Sequence, residues 1–395
     1  MKQIKRLIGA TLIFSLLFAA CRKDGRLVPE TNNLSEETES DATAVLGSNG
    51  KKHENGPGYV YTLSNQADGN KALMYRRAVN GQLSFLSSFF AGGNGTGGGL
   101  GNQGAVALTK DGKIVLAVNA GSNTLSSLKV TGNGLNLKST VSSGGMQPVS
   151  VTVHDDLVFV LNAGGNGNIS GFKLLNNGKL HPIANSTRPL SVAAPTGPAQ
   201  ISFVRGGKVL VITEKATNTI TTYTVNDWGI PGDIHTKISS SPTPFGFATG
   251  KGGLIFVSEA VGGTPGASVL SSYRIRPTGE ISLVDGSVGA GQSAACWVVL
   301  TNDGIYAYTT NTGSNNLTSF DVNPFSGDID LRDAIAATTP AGPIDAALTT
   351  NSKFLYVLNA GGHSISAFTV SATSSLGPIQ TVPGLPAGAT GLAAN

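Results

Sequence analysis

A short apolar run closed by a polar residue recurs along this chain every 43 to 54 residues. Residues 115–121 (VLAVNAG), 158–164 (VFVLNAG) and 355–361 (LYVLNAG) are the clearest copies. Weaker ones end at Asn65, Glu214, Glu259 and Asn311. Each run is rich in β-branched or aromatic residues and bounded by turn residues, the pattern of a buried strand. A strand of alternating polarity follows, as in 219–225 (TITTYTV) and 364–370 (SISAFTV). Period two places Ile220 and Val225 on strand faces that must pack against neighbouring sheets. A glycine then marks a hairpin turn, at Gly81, Gly134, Gly178, Gly229, Gly279, Gly327 and Gly377. Such turns often need a positive φ, which glycine adopts at low cost. A further strand precedes each apolar run, as in 148–153 (PVSVTV) and 343–348 (PIDAAL).

Each unit therefore reads as a four-stranded antiparallel sheet, and a period of this length is that of a propeller blade. The first unit lacks its leading strand, because the residues directly before Tyr59 hold no strand pattern. The chain end supplies a leading strand, 388–394 (GATGLAA), with nothing after it. Circular closure accounts for both facts and leaves the ring without an open sheet edge. The expected fold is an all-β, seven-bladed β-propeller of four-stranded antiparallel blades over residues 58–395. The C-terminal strand should complete blade 1. A β-sandwich has no reason for this repeat or for the matched gap at the two ends.

The composition suits this fold, with 13% charged residues and 53 glycines. The formal charge of +4 owes much to Lys2, Lys5, Arg6, Arg22 and Lys23 near the N-terminus. No basic stripe interleaved with aromatics remains, so a nucleic-acid partner is not expected. Residues 1–20 read as a signal peptide: three basic residues precede an apolar stretch, 7–18, that is short for a membrane span. Residues 17–21 (LFAAC) resemble a bacterial lipobox, which implies that Cys21 is acylated and becomes the new N-terminus. An ordinary secretory signal with a chance cysteine is the alternative. Two or more acyl chains give a stable anchor, and Arg22 after the cysteine points to the outer membrane or cell surface. Residues 21–57 are polar and acidic and read as a flexible tether. Cys296 is the one other cysteine, so no disulfide framework is expected. Its apolar neighbours (294–299, AACWVV) make it a buried small hydrophobe.

Two columns around the ring could carry chemistry. The first is the polar residue closing each apolar strand: Asn65, Asn119, Asn162, Glu214, Glu259, Asn311 and Asn359. Asparagine can bond its own turn, whereas Glu214 and Glu259 depart from the chain's own pattern in adjacent blades. Facing the mouth, they could bind a cation, position a water or act as general base, with Lys215 directly after Glu214. The structural alternative is that each caps a turn or pairs at the surface. The second column lies on the leading strands: Val106, Ser150, Gln200, Gly246, Trp297, Asp345 and Gly391. Gln200, Trp297 and Asp345, with Asn311, would line a central ligand funnel of mixed polarity. Trp297 could stack on a flat ligand or pack. Residues 321–327 (DVNPFSG) look like half a calcium loop but fall on the hairpin turn shared by every blade. No metal and no cofactor are expected.

Segments such as 199–203 (AQISF), 213–220 (TEKATNTI) and 354–359 (FLYVLN) resemble the blade strands of the lactonase-like β-propellers. That group includes bacterial 6-phosphogluconolactonase and fungal carboxymuconate cyclase, and the likeness covers essentially all of 58–395. The same strands also resemble, less specifically, those of surface-layer propellers. The lactonase resemblance implies a small ligand in the funnel and opening of a lactone ring. The family's catalytic members carry Pro-Arg-His on a leading strand, where this chain has Pro198, Ala199 and Gln200. Their Asn-Glu falls on Glu214 and Lys215, and their later Asn-Arg on Asn311 and Thr312. Without those arginines a carboxylated lactone loses its anchors and the oxyanion its stabilisation.

Two functions follow as expectations. One is a cell-envelope, lactonase-like propeller that binds a small ligand and opens a lactone, with Glu214 or Glu259 activating water and Lys215 steadying the oxyanion. The other is a non-catalytic surface propeller for protein or glycan. A monomer is expected, anchored to the membrane through Cys21. Replacing Cys21→Ser should move the exported protein from the membrane fraction to the soluble one; an unchanged distribution would contradict the anchor.

Overall fold

Seven antiparallel sheets stand around one axis in the computed structural model, which describes residues 56–395. The segments expected to be a signal peptide and a tether, with Cys21, lie up to residue 55 outside the described residues. The innermost strands of blades 2 to 7 are Val106–Leu108, Pro148–His154, Pro198–Val204, Pro244–Thr249, Ala295–Leu300 and Pro343–Leu348. Blade 1 takes its innermost strand, Thr390–Ala394, from the chain end. This strand pairs with Gly58–Leu63, in register Val60 with Ala394 and Tyr61 with Ala393. Asn395 completes the closure: its Oδ1 accepts from the Tyr59 amide at 2.7 Å and its main-chain oxygen accepts from Arg77 Nε at 2.9 Å.

The apolar runs are the second strands. Val209–Glu214, Leu254–Glu259 and Phe354–Asn359 are buried at every residue, because both faces of an inner strand meet a neighbouring blade. Outermost strands such as Pro231–Ile238 alternate toward solvent instead. Blade packs on blade through mixed apolar layers. Phe159 and Leu161 of blade 3 meet Leu210 and Ile212 of blade 4, and Tyr356 of blade 7 meets Val60 and Tyr75 of blade 1. Each such buried side chain contributes roughly 1.5–3 kcal/mol of transfer free energy. Hydroxyls add a directional link to the next blade's hairpin turn. Tyr356 Oη donates to the Gly81 carbonyl at 2.9 Å, and Ser272 Oγ to that of Gly327 at 2.6 Å.

Details differ from the repeat reading. The hairpin glycines at 81, 178, 229, 279 and 327 have positive φ, but Gly134 and Gly377 do not. Close approach is the constraint there: a Cβ would sit 2.7 Å from the Phe89 ring or 2.5 Å from Thr369 Oγ1. Blade 3 has five strands, since its outer strand is broken into Leu180–Pro182 and Arg188–Pro189. Residues 321–327 hold the hairpin turn after the third strand of blade 6. Asn323 Oδ1 caps the amides of Phe325 and Ser326, and Asp321 pairs with Arg332.

Candidate functional site

Strand ends fix which side chains can meet. Each innermost strand starts where the second strand ends, as in Pro198 paired with Glu214 and Pro343 with Asn359. The column of closing residues and the loops entering each blade therefore share one face, the mouth of the ring.

Most of that column is tied into the blades. Asn119 Nδ2 donates to Thr124 and Ser126, Asn311 Nδ2 to Asn316 and Thr318, and Asn359 Nδ2 to Ser364 and Ser366. Glu214 and Glu259 fill the same position with the polarity reversed, which serine and threonine hydroxyls tolerate because they both donate and accept. Glu214 accepts from Thr221 and from the amide and hydroxyl of Ser191; Glu259 accepts from Ser271 at 2.7 Å, Tyr273 at 2.6 Å and the Ser241 amide at 3.0 Å. Both are 0% exposed. Burial pushes the Glu259 pKa up to about 7, against hydrogen bonds that favour its charged form. The structure thus gives both glutamates the role of the asparagines, joining the incoming loop to the second and third strands. Asn311, expected in the funnel, is buried inside blade 6. In blade 1 the column position is Ser64, which accepts from the Lys71 amide. Asn65, one residue on, has a φ of 49° and bonds Thr96 and Gly98 instead.

The leading-strand column faces the axis, with one shift: the pairing of Val106 with Ala117 puts Ala105 in the column in place of Val106. Its members face an obligation of their own. The innermost strand of a blade has no strand beyond it, so its outward-facing amides and carbonyls need other partners. Ser150 Oγ accepts from the Ile201 amide of the next blade at 3.2 Å. Gln200 accepts from the Phe247 amide at 2.7 Å and donates to the Phe247 carbonyl at 2.9 Å. Gly246 has no side chain to continue the chain of bonds to Val298. Gln103 does so from across the ring, its Nε2 donating to the Val298 carbonyl at 3.1 Å and its Oε1 accepting from the Val298 amide at 3.4 Å. A Cβ on Gly246 would fall 2.0 Å from that Oε1.

Gln103 belongs to a plug that the repeat reading missed. The glycine-rich connection 91–105 (AGGNGTGGGLGNQGA) enters the axis at Asn102 and Gln103, which are both buried. Asn102 Nδ2 donates to the Val149 carbonyl, its carbonyl accepts from Trp297 Nε1 at 2.7 Å, and its Oδ1 accepts from Thr390 at 3.3 Å. The Gln103 amide donates to the Ala199 carbonyl at 3.0 Å. Lys215 Nζ lies 4.4 Å from the centre of the Phe245 ring and donates to the Gly101 carbonyl. Beside the plug an apolar cluster fills the mouth: Ala199, Phe245, Ala294, Cys296 and Trp297, with Ile344 against it. Trp297 packs on Phe245 at 4.9 Å between ring centres and is 1% exposed. The signal in the sequence was the longest interval between repeats, with its two amide side chains set among glycines.

The axis is open below the plug. A cavity of about 260 Å³ runs from Gln103, Gln200 and Asp345 to Leu108, Val153 and Ser202, toward the ends of the innermost strands. Of the funnel residues expected from the sequence, Gln200 and Asp345 line it; Trp297 and Asn311 do not.

A family model described as lactonase, seven-bladed β-propeller, matches residues 267–390. No curated protein matches the sequence. Among solved structures, a candidate 6-phosphogluconolactonase of Bacteroides fragilis superposes with a TM-score of 0.68 at 17% identity, covering 88% of this chain and 100% of that one. A periplasmic gluconolactonase of Pseudomonas aeruginosa gives 0.65 at 16% identity, over 85% and 98%. A protein of Lactobacillus plantarum gives 0.69 at 17% identity, over 86% and 99%. The fold is that of a seven-bladed β-propeller, and residues 267–390 are similar to the lactonase family of such propellers.

The raised Glu259 pKa has a stability consequence. A folded pKa above the unfolded value of 4.5 contributes stability below that value, which is lost as pH rises through about 7. Glu259→Gln removes this dependence. Unfolding free energies of both proteins between pH 4.5 and 8 should show the wild type losing on the order of 2 kcal/mol relative to the variant. A difference that does not change with pH would contradict the assignment.

Proposed function

We propose that this protein is a lactonase-like binding propeller, tethered to the cell envelope through Cys21, that takes a small ligand into its channel from the face opposite the mouth and does not hydrolyse lactones. The observation that carries this reading is the contrast between the two ends of the axis. At the mouth, the three segments that correspond to the family's catalytic motifs are engaged in packing and structural bonds. Ala199 lies in the apolar cluster and Gln200 is bonded to Phe247. Lys215 is held against Phe245 and Gly101, and Thr312 Oγ1 donates to the Pro343 carbonyl at 2.8 Å. A lactone could not reach either buried glutamate without opening a blade. At the other end, the cavity of about 260 Å³ is open and has Gln200, Ser202 and Thr152 among its lining residues. Both the family likeness and the expected export segment suit a protein that captures small molecules in the envelope.

Acid release from a panel of sugar lactones and carboxylated lactones tests this, with the purified protein compared against Glu214→Gln. The expected result is no turnover above that of the variant. Turnover that falls about a hundredfold in Glu214→Gln, the scale of a lost general base, would contradict the reading and make the protein an enzyme.

A further inference from the structure

We propose that the face opposite the mouth docks on a membrane surface, with the hairpin tips Trp228, Phe325 and Val79 entering the interfacial layer of the bilayer. The choice of a membrane rests on the anchor at Cys21 in the proposed function. Strand direction puts the chain's entry and these tips on one face. Gly58 pairs with Arg77, next to the hairpin that carries Val79, and Arg77 Nη2 donates to the Gly56 carbonyl at 2.9 Å. The segment leading back to Cys21 therefore joins the ring on the face away from the mouth. In blades 4 and 6 the third strand starts at the mouth, where Thr219 pairs with Glu214 and Asn316 with Asn311. The hairpins after Val225 and Val322 thus lie on the same face as Gly56.

Trp228 and Phe325 are the most exposed large apolar side chains among the described residues, at 82% and 81%, and Val79 is 63% exposed. A lone apolar side chain at a surface carries no message; the placement of these does. Each aromatic follows by two residues an asparagine whose Oδ1 accepts its amide, Asn226 at 3.0 Å and Asn323 at 2.9 Å. Such a turn is satisfied from within, so it holds the ring out to solvent without needing it for packing. Turn chemistry does not call for an aromatic either: the residue before the hairpin glycine is Asn80, Asn177 and Thr278 in blades 1, 3 and 5 but Trp228 in blade 4. Blades follow one another around the ring in sequence order, so tips on blades 1, 4 and 6 stand three, two and two blades apart. Three spaced contacts fit a plane, which a bilayer offers, whereas a protein partner would ask for one contiguous patch. Tryptophan suits the partly wet interfacial layer, its apolar ring bearing one polar N–H. Asp227, beside Trp228, is paired with Lys208, so its charge is countered at the tip. The axial cavity runs toward this face and, in a docked ring, opens onto the headgroup layer.

Trp228 reports its own contact, because Trp297, the other tryptophan, is buried. The full chain with Cys21→Ser, which removes any lipid anchor, is mixed with phosphatidylcholine vesicles whose acyl chains are brominated near the headgroup. Trp228 emission should shift to the blue and be quenched, half-maximally at roughly millimolar lipid, weaker than a single acyl chain gives. In that background Phe325→Ser should weaken the partitioning about threefold or more and Val79→Ser by less. Met146→Ser, an exposed position at the mouth, should leave it unchanged. Raising the salt to about 0.5 M should leave the quenching in place, since no charge pair drives it. Flotation of the wild type, purified from the membranes of an exporting host, with the same vesicles at low lipid tests the anchor separately. Flotation without Trp228 quenching in either protein would keep the anchor and overturn the docking face. Quenching of Cys21→Ser at high lipid, with a wild type that fails to float, would overturn the anchor and support the docking face. Quenching that needs anionic lipid and is lost in salt, or that is equally strong in Phe325→Ser, would overturn the proposal. So would a dimer in solution that Trp228→Ser dissociates, which would assign the tips to a second copy of the chain.

Discussion

A propeller closes its outer rim by exposing edges to solvent, but it cannot do so at its axis. Seven innermost strands face one another across a narrow channel, and each has a row of amides and carbonyls with no further strand to pair with. An unpaired buried amide costs about as much as a lost hydrogen bond. In this chain side chains supply the missing partners. Ser150 serves Ile201, Gln200 serves Phe247, and Gln103 crosses the ring to serve Val298 in the space that Gly246 leaves. The carbonyl of Gly104 accepts from Val151 at 2.8 Å in the same way.

That requirement shapes function by exhausting the mouth. A catalytic site needs polar groups held in place yet open to substrate. Here the polar groups at the mouth end of the axis are held in place by bonds to the protein itself, and Phe245 and Trp297 fill what space remains. The ring is a closed propeller, and the axial cavity lies toward the other end of the channel.

The fold was legible in the sequence because ring closure leaves a mark in one dimension. A missing first strand at Tyr59 and a surplus strand at 388–394 have a single circular solution, and Thr390–Ala394 occupies it. Strand interiors were legible for the same reason that they repeat: burial on both faces demands an unbroken apolar run. The site was far less legible. Glu214 and Glu259 look like exceptions in a list of asparagines, but a hydroxyl partner accepts from an amide and donates to a carboxylate equally well, so the exception carries no direction. Register was the second limit. One residue of slip turned Ser64 into Asn65 and Ala105 into Val106, and only the pairing with the next strand reveals it. The plug was hidden because its contacts are long-range: nothing near Gln103 in sequence indicates Val298 as its partner.

Amide hydrogen exchange at Phe247 and Val298 tests the central claim most directly. Both lie on innermost strands, outside the open cavity, and depend on a side chain from elsewhere in the ring. If the axis is sealed as described, they exchange as slowly as interior strand amides such as those of Val211 and Phe256, and Gln103→Ala accelerates exchange at Val298 and leaves Phe247 protected. Exchange of both amides at the rate of exposed loops in the unaltered protein would contradict a sealed mouth, and with it the account of where this propeller can hold a ligand.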